Sequence, residues 1–149
     1  MRQFASAYPG IAIDVVECEP AVIELARAWF DLSAIPGVTV HIADGAAFIR
    51  AAAPSTWDVI VIDAYDASTF AAAFADKEFL TALRSVLRPG GAVACNVIGT
   101  LVGDGPVRTF VSAAQRAFDT VRMVPVVDLD EHYSGDALRN VVVVATRSD

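Results

Sequence analysis

Short runs rich in β-branched residues alternate with helical patterns along the whole chain, and this alternation limits the fold more than any single motif does. Runs at residues 11–16, 38–43, 57–62, 92–98, 121–127 and 139–146 read as strands. Helical spacing predicts helices over 20–30, 46–53, 76–87 and 106–118. Strands that alternate with helices of this length build βαβ units, so an α/β domain with a mostly parallel sheet is expected.

Local chemistry supports each boundary. Pro20 sits in the first turn of its helix, where no N–H is needed, and Val22, Leu25, Ala26 and Trp29 recur on one stripe. Pro36 and Gly37 break the chain before the second run, and Asp44 with Gly45 opens a helix that Pro54 closes. The uninterrupted β-branched content of 57–62 predicts a strand buried on both faces. A loop is expected over 64–73, followed by a helix with Phe79, Leu80, Leu83 and Leu87 on one side. Arg88, Pro89, Gly90 and Gly91 read as the turn that ends it. Loops at 99–105 and 128–137 complete the chain, and residues 1–10 read as the tail of a helix ended by Pro9 and Gly10. No internal repeat or linker divides the 149 residues, so a single domain is expected.

Three acids follow three of the strand runs: Glu17 after the first, Asp44 after the second and Asp63 after the third. In an open α/β sheet the ligand crevice lies outside the carboxyl ends of the strands. Carboxylates there suit a nucleoside-type ligand with hydroxyls, an amino group and positive charge, because an ionised acid only accepts hydrogen bonds. The net charge of -7 points the same way, favouring cationic small molecules and excluding a phosphate-neutralising nucleic-acid surface. Cys18 and Cys95 lack CxxC spacing, and His41 and His132 lack the spacing of a ligand pair, so no metal site or disulfide framework is expected. Buried free thiols and an ordinary strand histidine at 41 are the plain readings. Without an apolar stretch long enough to span a bilayer or a secretory leader, no membrane role is expected and a cytoplasmic setting is the default.

These residues resemble the catalytic domain of spermidine synthase-like proteins, within the class I S-adenosylmethionine-dependent methyltransferase fold. The resemblance spans nearly all of residues 5–146 and is carried by 16–26, 43–45, 58–66, 79–91 and 140–144. It implies a Rossmann-like, mostly parallel sheet with an antiparallel C-terminal strand and helices on both faces. It also implies S-adenosylmethionine or its decarboxylated form as a substrate, with no metal, and a polyamine as the second substrate. Glu17 would accept from the ribose hydroxyls and Asp44 from the adenine amino group, with Gly45 allowing close approach of the base and Cys18 and Ala64 completing the nucleoside contacts. Asp44 also precedes a helix and would cap it, and the two roles are compatible. Asp63 would take or hold the proton of the attacking amine, and Asp66 would anchor a second ammonium unless it merely starts a turn.

Some features depart from that family. Small apolar residues follow Asp66 where the family has proline and a glycine-containing loop, and Asn96 stands where the family uses a polyamine-contacting Gln or Glu. The family's N-terminal hairpin domain, which carries much of its oligomer contact, and its first strand with a GxGxG loop are not in these residues, and a homodimer is left open. Without that strand, two strands face a gap, at about 1 to 3 kcal/mol for each buried unsatisfied backbone group. Either the chain is an incomplete reading of a longer gene, which is the expectation here, or the strands close on each other, or a second chain covers the edge. Three functions follow: aminopropyl transfer from decarboxylated S-adenosylmethionine to an amine such as putrescine, methyl transfer from S-adenosylmethionine to a small molecule, or a non-catalytic domain of the same fold.

Overall fold

The computed structural model describes residues 1–66, 69–70, 72–127 and 134–149, with 65, 66, 69, 70, 72 and 73 described as backbone only. The chain divides into two compact units, Met1–Phe48 and Ile49–Asp149.

In the first unit, helix α1 (Arg2–Ala7) precedes strand β1 (Ile13–Glu17), helix α2 (Pro20–Trp29), a 3-10 turn (Leu32–Ala34) and strand β2 (Val38–Ile42). Helix α3 (Gly45–Ala51) begins here and runs across the boundary between units. The strands β1 and β2 pair in parallel, Ile13 with Val38 through Glu17 with Ile42. Pro20 occupies the first turn of α2, and the Glu19 side chain caps it by accepting from the Ala21 N–H at 3.2 Å. Gly37 makes the entry into β2 feasible. Its φ is +75°, and a Cβ there would stand 2.2 Å from the Ile11 carbonyl oxygen.

The second unit contains β3 (Trp57–Ile62), a short antiparallel pair β4 (Tyr65–Asp66) and β5 (Thr69–Phe70), and a 3-10 turn (Ala72–Ala75). Helix α4 (Lys77–Val86), strand β6 (Leu87–Gly99), helix α5 (Pro106–Ala114), strand β7 (Thr120–Pro125) and strand β8 (Arg139–Thr146) follow. Four strands form a mixed sheet in the order β3-β6-β8-β7, parallel between β3 and β6 and antiparallel at the other two pairings. Where a loop was expected over 64–73, the backbone therefore makes a small hairpin. The stretch Arg88–Gly91, expected as a turn, is counted within β6 across a register break: Trp57 pairs with Leu87 but Val59 with Ala92. The turn character survives in Gly90, with φ at +76°. At Gly91 a Cβ would lie 2.8 Å from the Arg88 oxygen and 3.0 Å from that of Asp58.

Strand alternation sorts the side chains of this sheet. Ile62, Val93, Cys95, Val97, Val141, Val143 and Ala145 are buried together with Phe79, Leu80, Leu83 and Val86 of α4 and Val107, Phe110 and Ala114 of α5. Asp76 caps α4 by accepting from the Phe79 N–H at 3.0 Å. At the other end of α4, Arg147 donates to the carbonyl oxygens of Arg84, Ser85 and Leu87. Arg84 in turn pairs with Asp119 at 2.7 Å; the Ser148 N–H and then Arg84 hold that carboxyl below its usual range.

The opposite face differs from the sequence expectation. Val59 and Val61 are 56% and 58% exposed, so β3 is buried on one face only. β3 ladders with β6 alone among the described strands, and the helices α4 and α5 lie against the other face. Uninterrupted β-branched content cannot distinguish such an edge strand from a central one.

Gly37→Ala should destabilise the fold by about 2 kcal/mol or more, since it adds both positive-φ strain and a clash with fixed backbone. Urea denaturation followed by circular dichroism checks this; an unchanged midpoint would show that the turn relaxes freely.

Candidate functional site

Each acid expected at a strand end is found there. In the first unit, Glu17 is the last residue of β1, and its Oε1 accepts from the Glu19 backbone N–H at 2.8 Å. That bond orders the turn into α2 and engages one carboxylate oxygen. Asp44 follows β2 after Ala43, and its Oδ1 accepts from the Ala47 N–H at 2.7 Å, capping α3. It makes no further side-chain hydrogen bond among the described residues. At Gly45 a Cβ would meet nothing within 4 Å, so the space beside the backbone is open.

Cys18 lies between these two acids in electrostatic terms and is exposed, not buried as the sequence suggested. It stands just past the end of β1, outside the alternation that would have turned it inward. A hydrogen bond with the Glu17 carboxylate raises its thiol above the usual value, assisted by desolvation and by the charges of Glu17 and Asp44. Cys95 is the buried thiol, pushed up to about 12 by desolvation and then by the charge of Asp63. His41 is more than an ordinary strand side chain: its Nε2 meets Asp14 Oδ1 at 2.8 Å and its ring lies 4.8 Å from that of Phe48.

In the second unit, Asp63 follows β3 with Ala64 after it. The parallel register pairs Ile62 with Cys95, which brings Asp63 beside Asn96. Asn96 Nδ2 donates to Asp63 Oδ1 at 2.9 Å. Both side chains line a cleft of about 320 Å³ on the open face of the sheet, over a floor of Val61, Ala94, Val126 and Val142, with Asn140 at its side. Asp66 is in the backbone of β4, but its side chain lies outside the described residues, as does His132. Among the described residues no three His, Cys, Asp or Glu side chains group as metal ligands, and no helix is long and apolar enough to cross a membrane.

Sequence reasoning named Asn96 only as a stand-in for a contact to the amine, and it took Asn140 as part of a family-like stretch without giving it a site role. The available signal was an amide within two otherwise apolar strand runs. Linking Asn96 to Asp63, 33 residues away, required the register.

The spermine/spermidine synthase domain profile matches residues 8–99. Putrescine N-methyltransferase 2 of Nicotiana attenuata is 37% identical over 91 residues, which are 58% of this chain and 24% of that protein. A probable spermidine synthase from Corynebacterium glutamicum superposes with a TM-score of 0.80 over 97% of this chain and 50% of its own, at 24% identity. A spermidine synthase in complex with the transition state analogue AdoDATO superposes with a TM-score of 0.75 over 92% of this chain and 47% of its own, at 20% identity. The chain thus shares the Rossmann-like fold of these transferases and spans about half the length of those structures and about a quarter of the curated relative.

Glu17→Gln weakens the hydrogen bond, and removes the charge, by which Glu17 raises the Cys18 thiol, so iodoacetamide labelling of Cys18 near pH 8 should accelerate, because more thiolate is present. Cys95 should stay unlabelled in the folded protein. Mass spectrometry of the alkylated peptides reads both; an unchanged Cys18 rate would mean that Glu17 does not control this thiol.

Proposed function

Since the chain belongs to the spermine/spermidine synthase domain family, we propose that it serves in a group transfer from a sulfonium nucleoside to an amine, with an aminopropyl group as the leading case. The observation that carries this reading is Asp63: a carboxylate at the end of β3, held by a neutral amide and lining a cleft with an apolar floor.

The nucleoside half of the reading rests on Glu17 and Asp44. Asp44 spends one oxygen on its helix and retains a second for a ligand, and Glu17, which accepts from the Glu19 N–H and from the Cys18 thiol, keeps further acceptor capacity on a carboxylate with about four lone-pair sites. Glu17 would take the ribose hydroxyls, and Asp44 the adenine amino group, with Cys18 and the open backbone at Gly45 beside them; Ala64 is proposed as a further nucleoside contact. The spermidine synthase solved with AdoDATO supports a nucleoside of this kind.

In the reaction, a neutral amine attacks the carbon attached to the sulfonium sulfur. The new C–N bond forms as the C–S bond breaks, the sulfur leaves as a neutral thioether, and the amine proton passes to Asp63. A carboxylate serves here because the attacking nitrogen gains positive charge as the bond forms. Asp66 would hold a second ammonium of the acceptor.

Methyl transfer to an amine is the second reading, favoured by the likeness to putrescine N-methyltransferase. The same carboxylate would serve it, and only the group leaving the sulfonium differs. Intact and decarboxylated donors supplied separately with putrescine separate the two, with the methylated or the aminopropylated amine as the product detected.

Asp63→Asn should lower kcat by roughly 10²- to 10⁴-fold, the contribution of a positioned base, while leaving methylthioadenosine affinity within about twofold, and Glu17→Ala should weaken that nucleoside by about 1.5 to 3 kcal/mol, the scale of a hydrogen bond to a charged group. Product mass spectrometry and calorimetry measure these. A chain that binds neither donor nor methylthioadenosine would be a domain that keeps the fold without the chemistry, and full activity in Asp63→Asn would remove Asp63 as the base.

A further inference from the structure

We propose that Asn96 is a positioning residue for Asp63, fixing which of its two carboxylate oxygens faces the acceptor amine; this rests on the role of base proposed above for Asp63. Asp63 stands one residue beyond the last ladder pair of β3, outside the strand itself. Asn96 is anchored differently. It lies within β6, which is laddered to β3 on one side and to β8 on the other, where Asn96 itself pairs with Val142.

Alternation places both residues on the open face, Asp63 after Val59 and Val61, and Asn96 after Ala92 and Ala94. The amide donates to Oδ1 at 2.9 Å, which is full hydrogen-bond contact. A strand laddered on both sides therefore locks the rotation of a carboxylate that sits just past the end of its neighbour. With Oδ1 engaged, Oδ2 is the oxygen left to meet an amine.

The partner's neutrality matters. An Arg or Lys in place of Asn96 would pair with the carboxylate, compete with an incoming ammonium and weaken Asp63 as a proton acceptor. Asn orients without neutralising. Among the described residues no cation pairs with Asp63. The surrounding floor of Val61, Ala94, Val126 and Val142 is apolar, and Asn140, the other amide lining the cleft, makes no hydrogen bond to Asp63 among the described residues.

The test uses the full chain and two variants of Asn96. Asn96→Leu removes the donor, and Asn96→Asp keeps the shape but presents an acceptor to an acceptor. Both should lower kcat by roughly 10- to 100-fold, the effect of a misplaced catalytic group, with the KM for the donor and methylthioadenosine binding little changed. In the Asp63→Asn background, adding Asn96→Leu should cost nothing further, because Asn96 acts only through Asp63. A role confined to filling space would leave Asn96→Asp near full activity, which overturns the assignment. An independent contact to the substrate would make the two losses multiply and would overturn it as well. If Asp63→Asn itself keeps full activity, or the parent chain shows no transfer with either donor, the underlying reading fails and takes this one with it. Loss in Asp63→Asn together with full activity in Asn96→Asp would defeat the Asn96 assignment alone.

Discussion

The ladder around β6 is the constraint on which the second unit depends. With β3 parallel on one side and β8 antiparallel on the other, both edges of β6 are paired over Ala92–Cys95. The period of two then sends Val93, Cys95 and Val97 into a core closed by Phe79, Leu83 and Phe110, and leaves Ala92, Ala94 and Asn96 on the other face. Slipping by one residue would bury an amide and expose three apolar side chains. The burial that stabilises the sheet thus also places Asn96 beside Asp63. Stability and site geometry follow from a single register.

A second economy is visible in the first unit. Glu17 and Asp44 are needed locally, one to order a turn and the other to cap α3. A carboxylate has about four lone-pair sites, and a backbone N–H uses one of them. Capping is therefore compatible with the ligand contact proposed above: the backbone bond holds the rotamer and leaves acceptor capacity on the carboxylate. An acid oriented in this way loses less conformational entropy when a ligand binds than one on a mobile side chain would.

The elements most legible in the sequence were those governed by local chemistry. Pro20 and Asp76 marked helix starts because each acts within one turn of itself, and the acids at 17, 44 and 63 were found at strand ends because the apolar runs stop there. Features that depend on distant neighbours were harder to read. Val59 and Val61 looked buried because β-branched content is the same in an edge strand and a central one, Cys18 looked buried because it adjoins an apolar run, and His41 gained Asp14 across a strand pair. The hairpin at β4 and β5 has no strand-like run to announce it. The bond from Asn96 to Asp63 was invisible for the same reason, since only a register links residues so far apart.

The two proposed reactions place the same demand on Asp63 and different demands on the donor. In each, an amine loses a proton as a sulfonium loses a carbon, so a carboxylate oriented by a neutral amide serves both. Glu17 and Asp44 cannot discriminate either, because the ribose and adenine they would bind are common to the intact and decarboxylated donors. What differs is a single carboxylate on the tail of the nucleoside. A net charge of -7 disfavours it through the overall field, an effect that salt screens, whereas a side chain within hydrogen-bond reach of the tail would act nearly undiminished. Donor choice should therefore follow the residues that approach the tail, and base chemistry should follow Asp63 and Asn96. On this proposal, a switch between methyl and aminopropyl transfer would need no change at the end of β3.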